Sequence, residues 1–391
     1  MDERGRNEKA ITITYSITSS PGDIEDASEK VALEQTVEMP GTAIRDAGIL
    51  KEIVGKVISI HETDGNAGER FIVKIAYPEF VSNYEIPQLV NLLYGNISFK
   101  PGIKVIDVDF SGGFLLSFKG PKFGIAGIRK LLGVFDRPLV ATALKPMGTS
   151  AEGLAEMCYK FALGGIDIIK DDHGIVDFPF CRFEERVTKC MQAIEQAQQK
   201  TGKKIIYFPN VTDRFDRIIK NVEFAIKENA GGLLISPFLT GLDCVRYIAE
   251  SEGIDKPIMS HPSLTGIFYS GADSGIAPEI VLGKIFRFIG IDISVYPNYG
   301  GRFSFTKENC FSIAGSLTGS LDHIKASFPA PAGGMDLENI PEIIQFYGND
   351  IILLIGGSLY SRSYDLEDNA RYFCEKVRAS WQGAKDKEHR A

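Results

Sequence analysis

The chain has 391 residues, 44% of them hydrophobic and 25 of them phenylalanine, which is enough to bury a large core and suggests two domains rather than one. Its net charge of −8 and the lack of a long lysine or arginine run argue against nucleic acid as a partner. No apolar run is long enough to span a bilayer, and no signal-type stretch follows the charged start MDERGRNEKA, so we expect a cytoplasmic protein without a membrane partner.

The first 135 or so residues are predicted to form a small α+β domain. In chain order they read as a strand, a helix, two strands, a helix and a strand: AITITYSI, DIEDASEKVALEQTV, KVISIHE, RFIVKIAY, IPQLVNLLY and KVIDVDF. This βαββαβ order is typical of a ferredoxin-like domain, which we assign to residues 1–135.

From about Leu139 onward, short β-rich runs alternate with amphipathic helical stretches. The eight runs are RPLVATALK, GIDIIKDD, KIIYFPNV, GGLLISPF, PIMSHP, DISVYP, SFPAPAGGM and DIILLIGG. Apolar residues near a 3.6-residue period predict helices between these strands at 150–163, 184–199, 214–228 and 337–347. Ser150 and Thr212 lie at predicted N-caps. The alternation predicts an α/β fold, a C-terminal (β/α)8 TIM barrel over residues 136–391.

Polar residues and glycine pairs fall at the C-terminal ends of the predicted strands. This end of a TIM barrel is its catalytic face, so the pattern predicts an active site there. The residues concerned are Lys145, Asp172, Asn210, His261, Asn298, Gly333 with Gly334, and Gly356 with Gly357.

The segment GGIDIIKDDH brings several polar groups to the end of one buried strand. Strand alternation places Ile168, Lys170 and Asp172 on one face, with His173 in the loop beyond. Burial of such groups requires a partner or a metal for each, so this is a candidate site. A structural ion pair of Lys170 with Asp172, with His173 capping the loop, is the equally open alternative.

Three further features have both a functional and an ordinary interpretation. Two glycine pairs at adjacent barrel strands can approach a phosphate closely, although glycine also serves turns. Lys145, in ALKPMG, could transfer a proton or act as a counterion for a phosphate or carboxylate. His261, in MSHP, is either a site residue or a structural histidine.

Taken together, these motifs resemble the large-subunit family of ribulose-bisphosphate carboxylase (RuBisCO) over nearly the whole chain. GGIDIIKDDH is similar to the family's GGxDxxKDDE and ALKPMG to its IKPKLG, and the chain also carries LLYGN, GPKFGI, SHP, PAGGM and LIGG in order. Several separated motifs in the same order make this resemblance specific.

The resemblance implies a role for each site residue. Lys170 would react with CO2 to form a carbamate and, with Asp172 and His173, hold Mg²⁺. Lys145 would be the acid/base lysine, and His261 would lie beside the substrate.

The remaining implied roles concern the substrate and the assembly. Gly333, Gly334, Gly356 and Gly357 would hold a phosphate of a phosphorylated small-molecule substrate. Family members form dimers that share each site between subunits, which implies a homodimer in which Glu34 and Asn96 belong to the partner's site.

The departures from the carboxylase pattern are informative. His173 replaces a third acidic ligand, and because Mg²⁺ tolerates nitrogen poorly, Mn²⁺ or another divalent metal becomes possible. Met147 replaces a lysine, and Pro262 replaces an arginine that would clamp a second phosphate. The loop PNYGGRFSFTKEN has no counterpart to the lysine that assists carboxylation, since Arg302 and Lys307 are poor replacements.

We therefore expect a RuBisCO-like protein of form IV that does not fix CO2. The leading hypothesis is a metal-dependent lyase or isomerase that forms an enediolate from a phosphorylated keto-sugar or keto-sugar acid, with a slight preference for the sugar-acid branch and Arg302 or the metal as the carboxylate's partner. The alternatives are the 2,3-diketo-5-methylthiopentyl-1-phosphate enolase of methionine salvage, a Schiff-base aldolase-like lyase using Lys170, and a non-catalytic phosphate-ligand-binding protein.

Overall fold

The computed structural model of the protein describes residues 9–63 and 70–388. By their contacts these residues divide into two compact units. The first contains the residues up to 119 together with 264–281 and 322–324, and the second contains 120–263, 282–321 and the residues from 325 onward. The division at residues 135 and 136 stays a prediction.

The helices and strands follow one another along the chain. The N-terminal part contains β1 (Ala10–Thr18), α1 (Ile24–Glu34), α2 (Ala47–Glu52), β2 (Lys56–Glu62), β3 (Arg70–Pro78), α3 (Ile86–Tyr94), β4 (Ile103–Asp109) and α4 (Gly112–Leu115). The middle part contains α5 (Gly124–Leu132), β5 (Leu139–Leu144), α6 (Ala151–Leu163), β6 (Ile168–Asp171), α7 (Phe183–Thr201), β7 (Ile206–Phe208), α8 (Phe215–Lys227), β8 (Leu233–Ile235), α9 (Pro237–Thr240), α10 (Leu242–Glu250) and β9 (Ile258–Ser260). The last part contains β10 (Gly275–Ile276), a π-helix (Ile280–Ile285), α11 (Phe286–Phe288), β11 (Ile293–Pro297), α12 (Lys307–Thr318), β12 (Phe328–Ala332), α13 (Ile340–Tyr347), β13 (Ile352–Leu354), α14 (Gly357–Ser361) and α15 (Leu366–Glu388).

The first unit is built on one sheet with the strand order β10-β4-β1-β3-β2. The pairs β4 with β1, β1 with β3 and β3 with β2 are antiparallel. This is the predicted ferredoxin-like arrangement. The short strand β10, which pairs in parallel with the edge of β4 and comes from much later in the chain, was not predicted from the sequence.

The second unit contains all eight strands that the sequence predicts. They form two four-stranded parallel sheets, β13-β5-β6-β7 and β8-β9-β11-β12. A parallel bridge between Asn210 and Leu234 joins the end of β7 to β8, and β12 lies beside β13. The strands therefore succeed one another in the order of a (β/α)8 barrel, in agreement with the predicted fold class.

Successive residues of the barrel strands face two different cores. Ile168 packs with the side chains that the strands enclose, whereas Ile169 packs with the surrounding helices. Because side chains alternate along a strand, Lys170 follows Ile168 inward and Asp171 follows Ile169 outward. This alternation decides which polar groups at the end of β6 reach the barrel interior.

The helix starts agree with the sequence in one case and not in another. Ser150 caps α6 as predicted, since its hydroxyl accepts a hydrogen bond from the Gly153 amide at 3.2 Å. The prediction of Thr212 as an N-cap is wrong, because α8 begins at Phe215 and the Thr212 hydroxyl instead accepts from the Ser236 amide. Over the described ranges, none of the helices has both the length and the hydropathy needed to cross a bilayer.

Candidate active site

Lys170 is buried at the end of β6, with 2% of its surface exposed. Its Nζ donates a hydrogen bond to the backbone oxygen of Asp171 at 2.9 Å. The pKa of Lys170 is lowered to about 8, chiefly by burial; the charge of Asp172 opposes this change and the charge of Lys145 adds to it. An amine with this pKa is partly neutral near physiological pH, as both a carbamate and a Schiff base require.

Asp172 is the acidic group that faces Lys145. Its Oδ1 lies 2.5 Å from Lys145 Nζ and 3.5 Å from His173 Nδ1. Burial alone would raise the pKa of Asp172, but the hydrogen bonds from His173 and Lys145 and the charge of Lys170 outweigh it and hold the pKa well below its usual range. Asp172 is therefore a carboxylate, and Lys145 makes the counterion contact that the sequence left open.

His173 and His261 meet at the mouth of the barrel. Their rings stack with centroids 3.8 Å apart and planes 7° from parallel. His261 Nδ1 also contacts Ser263 Oγ at 2.8 Å, and burial, together with the charges of Lys170 and His173, holds the pKa of His261 well below its usual value. The structure thus brings together five of the predicted site residues: Lys145, Lys170, Asp172, His173 and His261.

The glycine pairs follow the neighbouring strands β12 and β13. Gly333 and Gly334 have positive φ angles of 87° and 102°, a conformation that favours glycine. The Ser358 hydroxyl donates to Asp336 Oδ1 at 3.3 Å, which links the segment after Gly334 to the segment after Gly357. Gly356 lies beside Lys145, since a Cβ built on it would be 3.6 Å from Lys145 Cε. Phosphate binding by these glycines stays a prediction.

Glu34 and Asn96 lie together in the first unit. Asn96 Nδ2 donates to Glu34 Oε1 at 3.2 Å and to Glu38 Oε1 at 2.7 Å, and Lys100 Nζ lies 3.1 Å from Glu34 Oε2. The hydrogen bonds from Lys100 and Asn96 lower the pKa of Glu34. The role of this pair in a partner's site stays a prediction.

The donor set at the end of β6 is complete for a metal only with a modified lysine. Within residues 9–63 and 70–388, no group of three His, Cys, Asp or Glu residues is placed to hold a metal ion. Asp172 supplies one anionic oxygen and His173 one nitrogen, so a carbamate on Lys170 would provide the third ligand. The buried Lys170 amine with its lowered pKa fits that modification.

The positions that depart from the carboxylase pattern are occupied in other ways. The Met147 side chain contacts Gly174, where a Cβ would lie 2.9 Å from Met147 Cε. Lys307 Nζ pairs with Glu342 at 2.8 Å and lies 4.9 Å from the Tyr299 ring centroid, and the Arg302 guanidinium lies over the Phe303 ring. Lys307 thus pairs with a carboxylate on α13 and an aromatic ring.

The sequence placed Asn210 at a strand end but did not indicate that it belongs, with Arg186 and Tyr207, to a group of residues around the Asp171 carboxylate at the end of β6. Asp171 and Arg186 form an ion pair at 3.0 Å in which neither side chain is exposed. Tyr207 and Asn210 complete the surroundings of the Asp171 carboxylate. The available signal was Asp171 itself, a charged residue whose place in the strand alternation directs it toward the apolar layer between strands and helices.

Comparison with protein families places both units of the chain. The model of the ribulose bisphosphate carboxylase large chain catalytic domain matches residues 124–298, and that of the N-terminal domain matches residues 3–110. These matches include the end of β6 as well as Glu34 and Asn96.

Known relatives extend the match over nearly the full length. The chain is 35% identical over 365 residues to the 5-methylthioribulose-1-phosphate isomerase of Rhodospirillum rubrum, covering 93% of this chain and 95% of the relative. It is 33% identical over 364 residues to the 2,3-diketo-5-methylthiopentyl-1-phosphate enolase of Bacillus licheniformis, covering 92% and 89%. The crystal structure of a Rubisco-like protein from Rhodopseudomonas palustris superimposes with a TM-score of 0.85 at 34% identity, covering 95% of this chain and 98% of the other. The chain therefore belongs to the RuBisCO large-chain family, as one of its form IV RuBisCO-like proteins.

Proposed function

We propose that the protein is a metal-dependent enzyme that forms an enediolate from a phosphorylated keto-sugar by moving the proton beside the carbonyl group, and that it does not fix CO2. The position of Lys145 supports this proposal. Its Nζ reaches the candidate metal ligand Asp172, while its Cε lies beside Gly356 of the candidate phosphate-binding segment. A substrate whose phosphate is held at the glycines would have its nearest carbons next to the Lys145 amine.

The proposal assigns each side chain a separate task. Asp172, His173 and the carbamate of Lys170 would hold Mg²⁺ or Mn²⁺, which when bound would polarise the substrate carbonyl. Lys145 takes the proton from the carbon beside that carbonyl and returns it to the product. His261, half-buried and with a lowered pKa, is a neutral imidazole that can hydrogen-bond to a substrate hydroxyl.

The names of two relatives favour proton transfer over decarboxylation. Both the isomerase and the enolase are named for phosphorylated methylthio sugars. We therefore propose a phosphorylated keto-pentose derivative of that kind as the substrate, in place of the sugar acid that the sequence slightly favoured.

We further propose that the protein works as a homodimer. Glu34 and Asn96 hydrogen-bond to each other, as would suit two residues that act together on one ligand. In the proposed dimer these residues of one subunit complete the barrel site of the other.

The test is proton exchange at the substrate carbon in D2O, followed by NMR. With Mg²⁺ or Mn²⁺ and bicarbonate present, 5-methylthioribulose 1-phosphate or 2,3-diketo-5-methylthiopentyl 1-phosphate should acquire deuterium next to the carbonyl and then form product. Lys145→Met should abolish exchange, and the surface variant Lys160→Met should behave as the wild type.

Three results would contradict the proposal. Release of CO2 from a phosphorylated 3-keto acid without enolisation of either methylthio substrate would establish a decarboxylase. Borohydride trapping of a substrate adduct on Lys170, with activity insensitive to chelator, would establish Schiff-base chemistry. Incorporation of labelled bicarbonate into ribulose bisphosphate would establish a carboxylase.

A further inference from the structure

The loop that carries the candidate ligands is held by hydrogen bonds from two buried side chains, those of Asn210 and of Arg186, which pairs with Asp171. Asp172 and His173 follow β6 directly, and the chain reaches α7 only at Phe183. A loop of this length allows many backbone paths unless it is fastened at defined points. Two of these fastenings lie close to the candidate ligands.

The first fastening is the buried carboxylate of Asp171. Its Oδ1 accepts a hydrogen bond from the Tyr207 hydroxyl at 2.7 Å. Its Oδ2 accepts from Arg186 Nε at 3.0 Å and from the backbone N–H of Asn210 at 2.9 Å. Arg186 Nη1 in turn donates to the backbone oxygen of Val176 at 3.0 Å. This group anchors the start and the middle of the loop to α7 and β7.

The second fastening is the side chain of Asn210, which is 1% exposed. Its Nδ2 donates to the backbone oxygens of His173 at 2.9 Å and Ile175 at 3.1 Å, while its Oδ1 accepts from the Thr212 amide at 3.2 Å. Both amide hydrogens and the amide oxygen are thus used. The side chain thus fixes the backbone on either side of Gly174, which lies in a turn.

We infer that Asn210 is a positioning residue that sets the backbone at His173 and thereby the geometry of the Asp172 and His173 ligand pair. The inference rests on the proposed metal-dependent function. Asn210 touches neither the substrate nor the metal in this assignment, and it acts through two backbone carbonyls. Groups in this outer position tune metal affinity by orienting the direct ligands.

The test measures Mn²⁺ binding by electron paramagnetic resonance in the presence of bicarbonate. The proteins compared are the wild type, Lys170→Ala, Asn210→Ala and Asn210→Asp. The aspartate variant has nearly the same size but places an acceptor against two carbonyl oxygens. Asn369→Ala is the matched control, because Asn369 is equally buried and its Nδ2 donates to the Ser363 carbonyl at 2.8 Å. Circular dichroism establishes that each variant is folded, and Asn210→Asp serves if Asn210→Ala is not.

The expected result is a Mn²⁺ dissociation constant raised by about tenfold or more in both Asn210 variants and unchanged in Asn369→Ala. A general structural role would lower thermal stability in the Asn210 and Asn369 variants alike without changing metal affinity. If the wild type binds Mn²⁺ in a Lys170-dependent manner and the folded Asn210 variants bind it equally well, the assignment of Asn210 is wrong. If the wild type shows no Lys170-dependent binding, the proposed function fails and the inference fails with it.

Discussion

Replacement of Lys170 by methionine is expected to stabilise the metal-free protein at neutral pH, because the wild type must bury an ammonium group. Lys170 is 2% exposed, and its pKa falls from 10.5 to about 8, chiefly through burial. At 1.36 kcal/mol per pKa unit, this difference corresponds to a cost of about 3 kcal/mol. The lost hydrogen bond to the Asp171 carbonyl offsets about 1 kcal/mol, so the net gain is about 2 kcal/mol.

The gain should depend on pH with a defined sign. Because the folded state binds the Lys170 proton less tightly than the unfolded chain, the wild type becomes more stable as the pH rises through 8 toward 10.5. Methionine has no proton to lose. The advantage of Lys170→Met should therefore fall from about 2 kcal/mol at pH 7 to about 0.5 kcal/mol at pH 9.5.

Urea unfolding in CO2-free buffer with a chelator measures this difference. The control is Lys160→Met, because Lys160 is exposed and forms an ion pair with Glu156 one helical turn earlier. Its replacement should change the free energy of unfolding little and independently of pH. A Lys170→Met protein that is less stable than the wild type at pH 7, or whose advantage is the same at every pH, would refute the reasoning.

Three further predictions concern other parts of the second unit. Asp171→Asn should destabilise the protein by about 3–5 kcal/mol in urea unfolding, because it leaves the buried Arg186 guanidinium without its counterion; an effect below about 1 kcal/mol would contradict this account. Ser150→Ala should cost about 1 kcal/mol through loss of the α6 cap, measured in the same way, and a Ser150→Asp protein should retain most of that stability. Gly334→Ala should weaken the binding of inorganic phosphate measured by calorimetry, because a side chain at a φ of 102° strains the proposed phosphate-binding segment by about 1–3 kcal/mol. The control is Gly348→Ala, which also has a positive φ but faces open space and should bind phosphate as the wild type does.

Much of the fold and part of the candidate site could be predicted from short-range patterns. The eight barrel strands are apolar runs bounded by turns, and each appears in the structure. The two-residue alternation correctly placed Lys170 and Asp172 on the opposite side of the strand from Asp171, because the side of one residue determines the side of every other residue in a strand. The clustering of Lys145, Asp172 and His261 then follows from the shared edge of parallel strands.

The parts that could not be predicted depend on contacts between residues distant in sequence. Arg186 lies on a helix whose pattern does not show that a charged residue is buried, and its partner Asp171 is fifteen positions earlier. Thr212 has the composition of a cap, but its hydroxyl is taken by an amide from the next strand. The residue type determines which groups a side chain can hydrogen-bond to, and the tertiary structure determines which of those groups lies beside it.

The strand β10 has a consequence for how the chain can be divided. It consists of only two residues, which pair with Lys104 and Val105 on the outer edge of β4 and follow the fifth barrel strand in the chain. A fragment cut at residue 135 would retain β4 and lose this pairing, leaving those backbone groups open to pairing with another molecule. The N-terminal sheet is therefore formed by segments that are not contiguous in sequence. A soluble N-terminal fragment would require charged residues or a proline at this edge of β4.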